Sequence, residues 1–216
     1  MRADLILDMT GKPGSRVSII DKFYKDLEYR LVDLAYSGAP LRDNPPDWPL
    51  ALPPNPLPEP DIINARRHEV IFNGGMMGHM VMRELGGSMG ESGGGMMGMM
   101  HGDIWFINGK AAKGHIMEPM LTLARGQSHV IAMTNATAWY HPMHLHGHSF
   151  RVISRDGQPT AHREWQDTVL MAPRETVEIA FVADNPGDWM FHCHILEHQA
   201  SGMMGVIRVA EERTRI

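Results

Sequence analysis

The sequence has a single cysteine, Cys193, among 216 residues. An internal disulfide is therefore excluded, and this one thiol is left to be buried, reactive or metal-bound. Basic residues are not in surplus: 20 Lys and Arg stand against 25 Asp and Glu, a formal net charge of −5. A polyanion binder carries a basic excess or a clustered basic face, so nucleic acid is not expected as a partner. No apolar run approaches the ~20 residues that cross a bilayer as a helix, so no membrane partner is expected either. The opening residues, Met1 to Asp8, lack the apolar core and small-residue cleavage site of a leader. With Leu5 and Leu7 on one face they have the pattern of mid-strand residues, and the expectation is that the sequence starts inside a longer protein.

What the chain does have is 13 His and 19 Met. Residues 1–40 alternate apolar and polar side chains (Leu5–Leu7, Val17–Ile20, Tyr29–Val32) around the turn signal Gly11-Lys12-Pro13-Gly14, which predicts two or three strands without enough partners for a domain. Residues 41–65 are crowded with proline from Pro45 to Pro60, the composition of an extended, semi-rigid linker. A strand-like run, His68–Phe72, opens the remainder, 66–216. It is followed by a Gly/Met-rich insertion, 74–101, with too little branched or aromatic bulk to pack, expected to be a mobile surface loop. From Ile104 to Val209 short β-type runs recur, separated by turns such as Asn108-Gly109, Arg155-Asp156-Gly157 and Asp184-Asn185-Pro186-Gly187. Many short strands with regular turns predict an all-β sandwich or barrel.

The chemistry is concentrated in two clusters, His141-Pro142-Met143-His144-Leu145-His146-Gly147-His148 and His192-Cys193-His194-Ile195-Leu196-Glu197-His198 with Met203 beyond it. Successive side chains of a strand point to opposite faces. His192 and His194 then share one face, and Cys193 takes the other, so metal sites on the two sides of this strand are joined by a few covalent bonds. The spacing Cys-x4-His-x4-Met places a thiolate, an imidazole and a thioether on one loop, and a second imidazole from elsewhere completes a blue-copper donor set. His141 is the obvious second imidazole. Its parity differs from that of His144 and His146, so the clusters sort alike: His141 with Cys193, and His144/His146 with His192/His194. A thiol nucleophile, a zinc site and ordinary core histidines are the competing readings. None accounts for seven histidines at these spacings around one cysteine.

The two clusters resemble the paired C-terminal signatures of multicopper oxidases, the family of laccases, ascorbate oxidase and bacterial cuprous oxidases. The likeness runs from Ile104 to the C-terminus and, more weakly, through Arg2–Ser37. The resemblance implies a cupredoxin-like Greek-key β-sandwich or barrel over 66–216, preceded by the end of another cupredoxin domain over 1–40. It implies copper as cofactor: His141, Cys193, His198 and axial Met203 as type 1 ligands, His144 for type 2, and His146, His192 and His194 for the type 3 pair. His148 matches a motif residue that is not a ligand. The family's trinuclear cluster takes eight histidines, half of them from two His-x-His pairs in the first domain. Here His68, His79, His101, His115, His129 and His162 are isolated, so those ligands lie outside this sequence.

The implied function is the C-terminal part of an oxidase. Such an enzyme oxidises Cu(I) or a phenolic-type reductant at type 1 copper and passes electrons across Cys193 to His192 and His194. There dioxygen is reduced to water, in a cluster completed by the N-terminal cupredoxin domains. The alternative is an electron-transfer protein holding the type 1 copper alone. The insertion resembles that of cuprous oxidases, and soft thioether sulfur prefers Cu(I). Met76, Met77, Met80, Met96, Met97, Met99 and Met100 are thus candidates for Cu(I) capture, against the alternative of a filler without a ligand role. The likeness is broken at Thr137 and Trp139, where cuprous oxidases place Asp and Met, and at Gln199, often Glu in bacterial members. No catalytic acid is assigned. The resemblance points to the periplasm or the cell exterior.

Overall fold

The structure, a computed structural model, describes residues 7, 9–23, 25–39, 53–75, 77–86, 104–112 and 118–211. The chain divides into two compact units, Ala3–Asn55 and a larger one spanning Pro56–Ile216.

The smaller unit is an antiparallel hairpin of β1 (Arg16–Asp21) and β2 (Tyr29–Ala35), paired from Arg16↔Ala35 to Asp21↔Tyr29 with an irregularity between Ile19 and Ile20. Val17, Ile20, Tyr29, Leu31 and Val32 are all exposed. Two strands alone cannot bury a face.

The larger unit carries β3 (Arg66–Gly74), α1 (Gly78–Glu84), β4 (Trp105–Ile107), β5 (Leu121–Ala124), β6 (Ser128–Asn135), β7 (His141–Leu145), β8 (Phe150–Arg155), β9 (Gln158–Pro159), β10 (Trp165–Gln166), β11 (Thr168–Met171), β12 (Thr176–Val182), β13 (Gly187–Cys193), α2 (Leu196–Ala200) and β14 (Met204–Ala210). One sheet has the order β10-β8-β12-β6-β3-β4, with β9 on β8, and the other β11-β7-β13-β14-β5. Most pairs are antiparallel, while β3 with β6 and β14 with β5 are parallel. The inward faces supply one apolar core: Val70, Phe72, Ile131, Met133, Phe150, Val177, Ile179 and Phe181 from the first sheet, and Met143, Leu145, Val169, Met171, Phe191 and Ile207 from the second. Each such side chain contributes about 1.5–3 kcal/mol on burial. The result is an all-β, cupredoxin-like sandwich, as the run of short strands predicted.

The turns act where the sequence marked them. Asn108 and Gly109 both take positive φ between β4 and its return bridge at Lys110, as do Asp156 and Gly157 between β8 and β9. This is the mirror-image turn whose twist matches paired strands. The end of the proline-rich stretch is fastened to the larger unit: Asp61 N–H donates to Ser128 Oγ at 2.9 Å, Arg151 Nε donates to Glu59 at 3.1 Å, and Ile62 packs on Val130, Ile153 and Ala180.

One expectation is corrected. The start of the Gly/Met insertion packs, because Met80-Val81-Met82 places apolar bulk on α1, where Val81 is fully buried and Met82 nearly so. Glu84 at its end meets Arg174 at 2.8 Å. Among the described residues no helix is long and apolar enough to cross a membrane.

Candidate metal centre

The register of β7 against β13 sorts the two motifs. His192 lies opposite His144, Cys193 opposite Met143, and Phe191 opposite Leu145. Directly paired residues share a face, and Cys193, Met143, Phe191 and Leu145 all belong to the core. His144 and His192 therefore project from the other side of the sheet. His141, two residues before Met143, falls on the core face with Cys193 and is fully buried.

On the core face, His141 Nδ1 and His198 Nδ1 are 3.0 Å apart, and each is 3.6 Å from Cys193 Sγ. Among the described residues this is the one group of three or more His, Cys, Asp or Glu side chains whose ligand atoms all lie within 4.8 Å of one another. The loop that brings His198 round is α2, and its closure is set by backbone bonds: Met203 N–H to His198 O (2.9 Å) and Cys193 N–H to Met203 O (3.1 Å). Met203 is completely buried. Gly202 makes this closure possible: at φ +117° it passes so near β4 that a Cβ would sit 2.4 Å from Trp105 O. Burial, helped by His198, drives His141 down to about 3, and burial pushes the Cys193 thiol up to about 11. His198 is lowered by burial as well. At neutral pH the site thus presents two uncharged imidazoles and a thiol that ionises when a metal replaces its proton. A buried donor triangle of two imidazole nitrogens and one sulfur fits copper of the blue type.

On the opposite face the rings of His144, His146, His192 and His194 gather. Centroids are 4.7 Å apart for His144–His146, 5.2 Å for His144–His194, 5.2 Å for His146–His192 and 5.4 Å for His192–His194. His144 Nδ1 lies 2.7 Å from Asp167 O, and His192 Nδ1 lies 2.8 Å from Cys193 O. A carbonyl accepts only, so both rings carry the proton on Nδ1 and turn Nε2 toward the cluster. His192 Nε2 is 3.1 Å from His146 Nε2. Burial lowers the pKa of His144, His146 and His192, keeping them uncharged beside one another.

The remaining predicted residues sort clearly. His148 packs against Phe181 and Trp189 with Nε2 3.9 Å from Asp184, apart from both groups. The preceding Gly147 has φ +72°, and a Cβ there would strike the Trp189 ring at 2.3 Å. His68 and His129 pair with each other at 3.1 Å. Of the candidate capture residues, Met77 and Met80 are exposed at the start of α1. Met76, Met96, Met97, Met99 and Met100 lie outside the described residues.

Motif spacing missed several residues that shape the site. Trp105 packs edge-on against His141 (5.0 Å) and on His198 (4.3 Å). Thr137 Oγ1 is 2.8 Å from His141 Nε2. Asp167 and Thr168 reach His144 because β11 pairs with β7. The contacts of Trp105 and Asp167 span the fold and have no local signature, whereas Thr137 lies four residues before His141.

The sequence pattern of the multicopper oxidase family matches residues 94–213, so the chain belongs to that family. It is 36% identical over 152 residues to a multicopper oxidase of Mycobacterium tuberculosis, which covers 70% of this chain and 28% of that protein. An L-ascorbate oxidase of Cucurbita maxima is 47% identical over 77 residues, 31% of this chain and 13% of that one. Among solved structures, a multicopper oxidase from Pseudomonas thermotolerans superposes with a TM-score of 0.64 at 28% identity, over 92% of this chain and 41% of that one. The chain thus spans well under half the length of these relatives.

Proposed function

We propose that the chain is the copper-binding C-terminal part of a multicopper oxidase, holding one complete type 1 site and half of a trinuclear cluster. The observation that carries this reading is the division of β7 and β13 into a thiol–imidazole triangle on one face and four imidazoles on the other. His141, Cys193 and His198 would hold type 1 copper, together with the thioether of Met203. His144 would serve the type 2 ion, and His146, His192 and His194 the type 3 pair. When bound, copper would supply one-electron chemistry on the thiolate side and dioxygen reduction on the histidine side.

The chain's own residues do the positioning. Burial keeps His141 and His198 unprotonated and ready to donate lone pairs. The carbonyls of Asp167 and Cys193 aim His144 and His192. The bonds from Cys193 to its neighbours His192 and His194 link the two faces covalently. Exposed Trp139 and Tyr140, just before His141, offer aromatic surface to a reductant, either a small aromatic compound or Cu(I) delivered by the methionines of 74–101. The other histidines of the cluster would come from N-terminal cupredoxin domains, of which the hairpin within 1–40 is the closing part, with 41–65 as linker. This chemistry and the family membership favour the periplasm or cell exterior.

Copper analysis with an oxygen electrode tests the reading. The 216-residue chain should hold close to one tightly bound copper, be blue, and show little four-electron reduction of dioxygen, because half the ligands of the second cluster are absent. Four tightly held coppers with oxidase turnover, or no copper–thiolate absorption at all, would overturn it.

A further inference from the structure

We propose that Thr137 is a positioning residue whose hydroxyl holds His141 as its Nε2–H tautomer, with Asn135 setting the direction of that hydroxyl. Asn135 Nδ2 donates to two carbonyls, Trp139 O at 2.7 Å and Ala172 O at 2.8 Å. Carbonyls only accept, so the amide orientation is fixed and Oδ1 faces Thr137. Oδ1 accepts from Thr137 N–H at 3.1 Å and lies 2.7 Å from Thr137 Oγ1. The single hydroxyl proton goes to this oxygen, which can only accept and at 2.7 Å would otherwise oppose bare lone pairs, whereas Trp139 O is 3.2 Å away and His141 Nε2 can itself donate. The Thr137 lone pairs are then left to accept, one from Trp139 N–H at 3.1 Å and the other from His141 Nε2 at 2.8 Å.

His141 must carry its proton on Nε2, which leaves Nδ1, the atom facing Cys193 and His198, with a bare lone pair. Asn135, Thr137 and His141 are all fully buried, so water cannot substitute for a lost partner. This tautomer is the one that can ligate through Nδ1, because the hydrogen bond at one ring nitrogen decides which proton the other keeps. The consequence for copper rests on the reading proposed above, whereas the tautomer itself is a property of the metal-free chain.

The test uses the full 216-residue chain and two readouts. In the 15N-labelled, metal-free protein, the His141 nitrogen shifts should show Nε2 protonated and Nδ1 bare. Thr137→Val, which keeps the shape and removes the acceptor, should give mixed tautomers. It should also weaken Cu(II) binding by roughly 10–100-fold in a chelator competition, and Thr137→Ser should restore both. Far-UV circular dichroism checks that the valine variant folds. A proton on Nδ1 in the unsubstituted chain would overturn the proposal whatever the variants do, as would a folded valine variant with unchanged tautomer and copper affinity. The stated tautomer in a chain that gives no copper–thiolate band would support the proposal and overturn the copper reading alone.

Discussion

His192 and Cys193 are neighbours in the chain, yet His192 stands opposite His144 on one face of the sheet while Cys193 stands opposite Met143 on the other. Two chemically different clusters therefore meet at one peptide bond, and the next carbonyl along, Cys193 O, also orients His192. On the thiol face His141 and Cys193 are buried and His198 partly so, and the three donors are preset around a common centre.

Cys193→Ser should abolish the blue charge-transfer band, which needs a copper–thiolate bond. His162→Ala, outside both clusters, should leave it in place. The serine also buries a hydroxyl in the core, which costs about 1–3 kcal/mol if unpartnered. Visible absorption of copper-loaded protein, with urea denaturation alongside, checks both effects. A band that survives Cys193→Ser would remove the thiolate from the site.

Copper affinity should rise with pH. His141, at about 3, is already unprotonated across the neutral range, whereas Cys193, at about 11, still holds its proton. Binding then releases about one proton, and affinity climbs about tenfold per pH unit. Chelator competition at pH 6, 7 and 8 measures the slope, and a flat profile would contradict the buried thiol.

Stability of the metal-free protein should move the same way for a different reason. The folded state depresses His141, so its contribution is fully present above its ordinary value of 6.5 and is lost as pH falls from there toward 3. His144, His146, His192 and His198 are shifted in the same direction. His141 alone accounts for a slope of up to about 1.4 kcal/mol per pH unit in that window. Urea midpoints at pH 7.5 and 5 should differ accordingly.

Gly202→Ala should be far more damaging than Gly126→Ala. Both glycines have positive φ, so each alanine adds about 1 kcal/mol of backbone strain. Only at Gly202 does the new methyl meet backbone, Trp105 O at 2.4 Å, whereas at Gly126 it meets nothing. Gly202→Ala must therefore push β4 away from the loop carrying Met203, lowering the thermal midpoint and altering the blue spectrum together. Equal midpoints for the two variants would show that the loop yields.

Much of this was legible in the residues. Short runs such as Thr176–Phe181 and Thr168–Met171 became β12 and β11 because their alternation matches a buried face. The parity of His141 against His144 follows β7, which is regular from His141 to Leu145, while His146 lies in the turn just beyond it. Thr137 stood out only as a departure beside the first motif, not as a partner of His141, and Trp105 and Asp167 were illegible as site residues. These last two act across the fold, and local spacing carries no record of which strand will lie beside which. The helix α1 was missed because glycine and methionine dominate the composition around it, while Val81 and Met82 supply just enough bulk to dock.

The two faces should also be separable by mutation. His144→Ala and His194→Ala remove rings from the four-histidine group, and both side chains lie outside the core. Neither residue contacts Cys193, His141 or His198 through any side-chain bond described above, so the thiol triangle should stay intact. The double variant should keep the intensity and position of the blue band and one tightly held copper. Any weaker copper binding by the four histidines should fall, because two of four ligands are gone and affinity depends steeply on ligand number. Cys193→Ser should do the reverse, sparing the weak binding and losing the tight one. Isothermal titration of the two variants with Cu(II) resolves the classes. A double variant that loses the tight copper would mean the faces share their ligands, and the strand parity that separates them would no longer explain the site.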